Sequence, residues 1–153
     1  MEMRRKDRSL PKDEALSLLE NGEYGILSTV GQDKEPYGTP LSYALGDKCI
    51  FIHGAAGCGR KFLNIDANSQ VCFTVVGKTA VLAEKFSTKY ESVIIQGKAK
   101  KLTGEEKKFG LYKLIEKYSS DYLESGRHYI VTAADKTDVY QINITSLSGK
   151  ARR

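Results

Sequence analysis

The stretch from Ile50 to Ile65 constrains this chain more than any other. It reads Ile-Phe-Ile-His-Gly-Ala-Ala-Gly-Cys-Gly-Arg-Lys-Phe-Leu-Asn-Ile. An apolar strand breaks into a loop with three glycines among six residues, then enters a helical pattern with Arg60 and Lys61 at its mouth. Backbone N–H groups freed by a glycine turn, a helix N-terminus and two fixed positive charges together suit a phosphate. The spacing therefore predicts a loop that anchors the phosphate of a small cofactor, with the rest of the chain built as a barrel around it.

The 153 residues fit one domain, 1–153, with volume for a real core. Hydrophobic residues at 41% and charged residues at 28% place the chain among globular proteins rather than disordered ones. No apolar run approaches the roughly 20 residues needed to cross a bilayer, so no membrane partner is expected. The basic opening Met1-Glu2-Met3-Arg4-Arg5-Lys6-Asp7-Arg8 is not followed by the apolar stretch of a secretory signal, and the expected location is cytoplasmic. Cys49, Cys58 and Cys72 are odd in number and lack CxxC spacing, which argues for reduced thiols. Two distant histidines, His53 and His128, argue against a metal site. Neither a GxSxG nor a Walker loop is present. The net charge of +5 favours anionic partners, although Arg4-Arg5-Lys6 and Lys150-Ala151-Arg152-Arg153 lie near the chain ends and read as solvated tails.

Pro11 and the acids after it start a helix that ends at Asn21-Gly22, with Ala15, Leu16, Leu18 and Leu19 on one face. Strands are expected at Tyr24 to Val30, Tyr37 to Leu45 and Cys49 to His53, joined by short turns into an antiparallel meander. After the glycine loop, Arg60 to Asp66 is helical. Gln70 to Val76 is a strand, Gly77-Lys78 a turn and Thr79 to Leu82 a weaker strand. A long strand from Phe86 to Leu102 bends near Gly97. A capping box at Thr103-Gly104-Glu105-Glu106 opens a helix with Leu111, Leu114, Ile115 and Tyr118 as its buried stripe. Ser120 to Asp135 suggests a short helix interrupted at Gly126, and Asp138 to Thr145 is a final strand. Alternating βα units are absent. The pattern fits a mainly β fold: an antiparallel β-barrel of six to seven strands with three or four flanking helices.

The order of these pieces resembles the split barrel of the pyridoxamine 5′-phosphate oxidase superfamily that binds flavin mononucleotide (FMN), nearest its branch related to 5-nitroimidazole resistance (Nim) proteins. Five segments carry the resemblance: Met3 to Arg8; Pro36-Tyr37-Gly38-Thr39-Pro40-Leu41-Ser42-Tyr43; Ile50 to Ala55 with Gly59-Arg60-Lys61; Glu84 to Val93; and Ser148-Gly149-Lys150-Ala151. One departure is Arg60, where relatives in this branch often carry His. The oxidases proper use an Arg-Lys pair there, so the change should preserve phosphate binding.

The resemblance implies FMN in a groove between the two subunits of a homodimer. Thr39, Pro40, Leu41, Ser42 and Tyr43 would line the flavin ring, His53 and Gly54 would sit by the ribityl phosphate, Arg60 and Lys61 would pair with its oxygens, and Ser92 would approach from a neighbouring strand. Read from the residues alone, His53 can equally be a strand-ending residue satisfied by backbone, a cofactor contact or the candidate catalytic group. Tyr43 can be a packing residue, and Cys58 a passive small residue or a thiol activated by Arg60 and Lys61. The implied activity is an FMN-dependent oxidoreductase, nitroreductase-like, acting on small aromatic acceptors such as nitroimidazoles. The alternative is a flavin-binding or electron-carrier protein without a dedicated substrate. A basic barrel for single-stranded nucleic acid would need aromatics interleaved with Lys or Arg, and Lys89-Tyr90 is the main such pair, so no nucleic-acid partner is expected. A true pyridoxamine phosphate oxidase is less expected, since it would need a second phosphate site with its own basic residues and the sequence assigns none convincingly. Other superfamily members use haem or the deazaflavin F420.

Overall fold

A computed structural model describes residues 4–153; Met1 to Met3, which begin the basic opening and its family motif, lie outside the described residues. Helix α1 (Lys12–Asn21) buries Ala15 and Leu19 completely. The strands are β1 (Gly25–Val30), β2 (Pro36–Leu41), β3 (Tyr43–Gly46), β4 (Cys49–Ala55), β5 (Gln70–Leu82), β6 (Ser87–Lys101) and β7 (Thr137–Arg152). Helix α2 (Arg60–Ala67) follows β4, and α3 (Gly104–Tyr118) and α4 (Leu123–Ala133) separate β6 from β7.

All seven strands form one antiparallel sheet in the order β2-β1-β5-β6-β7-β4-β3. Its two edges, β2 and β3, are consecutive in sequence and separated by Ser42 alone. Covalent connection therefore forces the sheet to curl until its edges nearly meet, although no ladder joins them. The expected barrel is thus partial: the chain itself, rather than backbone hydrogen bonding, bridges the gap.

This corrects the expected strand from Tyr37 to Leu45, which is two strands on opposite edges. The meander is cut at Ser42, because β2 pairs with β1 while β3 pairs with β4. The reverse correction applies at Gly77-Lys78. The β5–β6 ladder runs past it with a register shift between Val76 and Thr79, so the two expected strands are one strand with a bulge. A second shift falls between Gln96 and Gly97, where a Cβ would stand 2.4 Å from the Asn143 carbonyl oxygen.

The main core lies inside the curl and includes Leu27, Tyr43, Ile50, Ile52, Phe73, Val75, Val93, Ile95, Tyr140 and Ile142. A smaller cluster of Cys49, Phe51, Leu102 and Val139 fills the opposite face of β4 and β7, packed against Leu111 of α3. Thr103 precedes α3 but makes no side-chain capping bond, so the expected capping box does not form. Gly126 does not interrupt α4. A Cβ there would stand 2.5 Å from the Ile115 side chain, so the glycine is the point where α4 crosses α3 closely. The basic C-terminus is not a solvated tail: Lys150 to Arg152 belong to β7, and Arg153 pairs with Glu14 and Glu91 at 2.5 and 3.0 Å.

Candidate functional site: the glycine loop and the seam

Helix α2 is fastened from both sides. Toward β7, Phe62 stacks on Tyr140 with centroids 4.5 Å apart, and the Tyr140 hydroxyl donates to Asp66 at 3.0 Å. Toward the other edge, the buried Asn64 amide donates to Thr29 Oγ1 at 3.0 Å. The loop feeding the helix turns through Gly57 (φ 68°) and Gly59 (φ 98°), conformations that L side chains rarely adopt. The helix start then leaves the Arg60 and Lys61 N–H groups without intrahelical partners.

The two cations at this mouth are not equivalent. The Arg60 guanidinium bonds Asp33 at 2.8 Å and Glu35 at 2.9 Å, both in the β1–β2 turn, and lies 5.0 Å over the Tyr37 ring. Its hydrogen bond to the Glu35 carboxylate, with the bond and charge of Asp33, raises its pKa further. Lys61 has no carboxylate within 4 Å among the described residues. Its ammonium sits 4.4 Å from the Phe62 ring centroid and would stand 3.0 Å from a Cβ on Gly54. Gly54 is therefore the cradle that admits the Lys61 ammonium against β4. Asp33 and Glu35 carry no local signal in sequence, since they stand 27 and 25 residues from their partner.

His53 and Gly54 point to opposite faces of β4, as successive strand residues must. His53 stands at the mouth of a cavity of about 160 Å³, under α3 and α4, whose apolar lining includes Leu111, Leu114, Ile115 and Ile130. His53 is exposed by surface area, yet the protein packed around the imidazole withdraws hydration and, with the nearby Lys61 charge second, lowers its pKa and favours the neutral ring. No described residue hydrogen-bonds it.

The Thr39–Tyr43 segment spans the seam between the sheet's edges. Pro40 is exposed on β2, Leu41 and Ser42 are half-buried, and Thr39 Oγ1 is buried with no partner among the described residues. Such an orphaned hydroxyl is costly. Tyr43 belongs to the core: fully buried, edge-on to Phe73 at 4.8 Å, with its hydroxyl donating to the Leu19 carbonyl. Its N–H donates to the Tyr118 hydroxyl at 3.0 Å, and that hydroxyl faces the carbonyls of Tyr43 (2.9 Å) and Glu23 (2.6 Å). Tyr43 thus has neither side chain nor amide to offer a ligand, which leaves Thr39 to Ser42. Lys117 completes the clasp, donating to the Gly22 carbonyl at 2.7 Å with its ammonium 3.8 Å over the Tyr43 ring. Burial, opposed by Glu20, brings its pKa down to about 8.

The structure brings together Arg60, Lys61, Gly54 and the beginning of β2. It does not bring Ser92 to them. Ser92 lies on β6, three strands from β2, roughly 14 Å along the sheet. Cys58 is exposed, its thiol 3.7 Å from the Ala55 carbonyl.

A phosphate-bearing flavin fits these residues: an ammonium without a carboxylate partner and a buried hydroxyl without a hydrogen-bond partner, both among the described residues, two N–H groups at a helix start, and a glycine cradle. A partial antiparallel barrel with a basic glycine loop is thus the class of protein that fold and site define. Residues 11–151 match the family described as pyridoxamine 5′-phosphate oxidase, and the chain belongs to that family. Among solved structures, it is similar to a candidate 5-nitroimidazole antibiotic resistance protein from Bacteroides thetaiotaomicron, at 18% identity and TM-score 0.75, covering 94% of this chain and 86% of that one. A flavocytochrome from Azotobacter vinelandii is similar at 20% identity and TM-score 0.83, covering 99% and 72%. An FAD- and heme-binding protein from Mycobacterium smegmatis follows at 16% and 0.84, covering 97% and 74%. Among curated proteins, none matches the chain significantly. No helix among the described residues is long and apolar enough to cross a membrane.

Proposed function

We propose that the chain is an FMN-binding oxidoreductase of the Nim-related type, working in the cytoplasm as a homodimer. The observation that carries this reading is Lys61, a cation without a carboxylate partner among the described residues, held against Gly54 at the start of a glycine-turned helix. Lys61 and the adjoining N–H groups would hold the phosphate. Thr39 to Ser42 would lie along the flavin ring, with Thr39 Oγ1 gaining its missing partner. Bound flavin supplies two-electron redox chemistry, and the protein orients it and excludes water. His53, on the opposite face of β4 from the Lys61 cradle, would take part only if the acceptor reaches it from the side of α3 and α4.

Ser92 lies three strands from β2, so a groove that holds both Ser92 and the start of β2 would take Ser92 from a second copy. The outer face of the sheet suits self-association. Ile26 and Ile94 flank Thr74 in register, with Val76 nearby, and all three apolar residues are at least 40% exposed. An open groove between subunits fits a flat aromatic acceptor of the nitroimidazole kind.

The purified protein should show the visible bands of bound flavin, and reduced protein should be reoxidised by a nitroimidazole faster than free reduced FMN. A colourless protein that ignores added FMN would sink the reading. A second reading, an electron carrier without its own substrate, draws on the similarity to a flavocytochrome. It predicts bound flavin with no acceleration by nitroaromatic acceptors.

A further inference from the structure

Asp138, the second residue of β7, is a buried acid whose side chain is only 10% exposed. Its backbone pairs with Gly54, at the root of the glycine loop. Its Oδ2 reaches across to accept the Gly57 N–H at 3.0 Å, and the same oxygen meets the Lys101 ammonium of β6 at 2.9 Å. Beside it, the Ala56 N–H donates to the Lys136 carbonyl at 3.0 Å. The first half of the loop is thus stitched to the start of β7. Burial alone would raise the Asp138 pKa, yet the Gly57 N–H and Lys101, with Lys107 of α3, hold it below the usual carboxylate range. At Gly57 a Cβ would meet nothing within 4 Å, so the loop's shape there comes from its φ of 68° and from this bond, not from packing.

A buried negative charge beside a loop that binds an anion is a liability unless it is cancelled. We infer that Asp138 and Lys101 form a charge-neutral anchor that sets the turn at Gly57, and thereby aims the Arg60 and Lys61 N–H groups and the Lys61 ammonium at the phosphate. Neither residue touches the anion; both are positioning residues. This rests on the phosphate-loop reading for its purpose, while the anchor itself can be read in the cofactor-free protein.

Three substitutions separate the roles. Asp138→Leu removes the acceptor, Asp138→Asn keeps an acceptor oxygen but removes the charge, and Lys101→Met leaves the carboxylate uncompensated. With FMN as the probe, Asp138→Leu should weaken binding at least about tenfold, and Asp138→Asn should bind no more weakly than wild type. Lys101→Met should weaken it severalfold, and that loss should vanish when Lys101→Met is combined with Asp138→Asn. Amide exchange at Gly57 in cofactor-free protein should accelerate in Asp138→Leu and stay near wild type in Asp138→Asn. An equal cost of Lys101→Met in both backgrounds, or unchanged Gly57 exchange in Asp138→Leu, would overturn the inference. If Asp138→Leu does not fold, the cycle between Asp138→Asn and Lys101→Met decides. If wild type binds no FMN, the flavin reading fails separately; Gly57 exchange and inorganic phosphate binding still judge the anchor.

Discussion

At the scale of single residues, the two cations of the loop are expected to behave differently. Lys61 has no carboxylate within 4 Å among the described residues, so its charge is free to meet a ligand, and Lys61→Met should lower FMN affinity by tenfold or more, in line with the ~1.5–3 kcal/mol of a charge-assisted bond. Arg60 is already bonded to Asp33 and Glu35, so Arg60→Ala alone should cost less. Releasing Arg60 by combining Asp33→Asn with Glu35→Gln should tighten FMN binding; titrations of the three variants check the order. Thr39 offers a test with two opposite signs. Thr39→Val removes an orphaned buried hydroxyl, so the cofactor-free protein should gain roughly 1 kcal/mol in denaturant unfolding. The same change should weaken FMN binding. The Arg60-Lys61 pair was legible in sequence because its spacing after three glycines is local. Its neutralisation by Asp33 and Glu35 was not, because those carboxylates arrive through the β1–β2 turn by tertiary folding. Tyr43 shows the limit of motif reading: its place in the Pro-Leu-Ser-Tyr run is visible, but its burial depends on where Leu19, Phe73 and Tyr118 end up.

Among the elements, the seam at Ser42 and the α3–α4 crossing carry the clearest consequences. Tyr118 closes the seam by holding the Tyr43 amide, so Tyr118→Phe should cost roughly 1–3 kcal/mol by leaving that N–H unpaired. Lys117 makes the stability of the seam depend on pH in the alkaline range. Its folded pKa is about 8, below the ordinary 10.5. Between those values the unfolded chain binds the proton more than the folded one does, so this group makes stability rise with pH from about 8 to about 10.5. Lys117→Met should flatten that part of a stability profile measured by denaturant unfolding. Gly126→Ala would force a methyl against Ile115 and should lower stability by about 1–3 kcal/mol while leaving the glycine loop untouched. These elements also show what periodicity hides. Gly77-Lys78 looks like a turn in composition, yet a bulge carries β5 through it, because pairing with β6 on both sides outweighs the local signal. Gly126 looks like a helix breaker, yet close packing against Ile115 is what requires it. The split of Tyr37 to Leu45 escapes any local rule, since each half is a good strand and only the partners differ.

The whole molecule is a sheet whose ends are joined by one residue, with α2 fastened across the curl and a basic loop at its rim. Its mainly β, antiparallel character followed from short turns and alternation; closure by connectivity rather than hydrogen bonds did not, because pairing partners are a property of the folded chain. Function at this scale is proposed to need two copies. Chromatography with light scattering should return twice the 17.0 kDa chain mass, and Ile94→Lys on the exposed sheet face should yield a monomer that loses FMN although its loop is intact. The central claim is that the loop at Arg60 and Lys61 holds the phosphate of FMN. Titrating FMN into wild type and into the Arg60→Ala, Lys61→Ala double variant, followed by flavin fluorescence and the visible spectrum, tests it most directly. Saturable binding by wild type and a loss of about a hundredfold or more in the double variant is the predicted result. Equal affinity in the two proteins would contradict it.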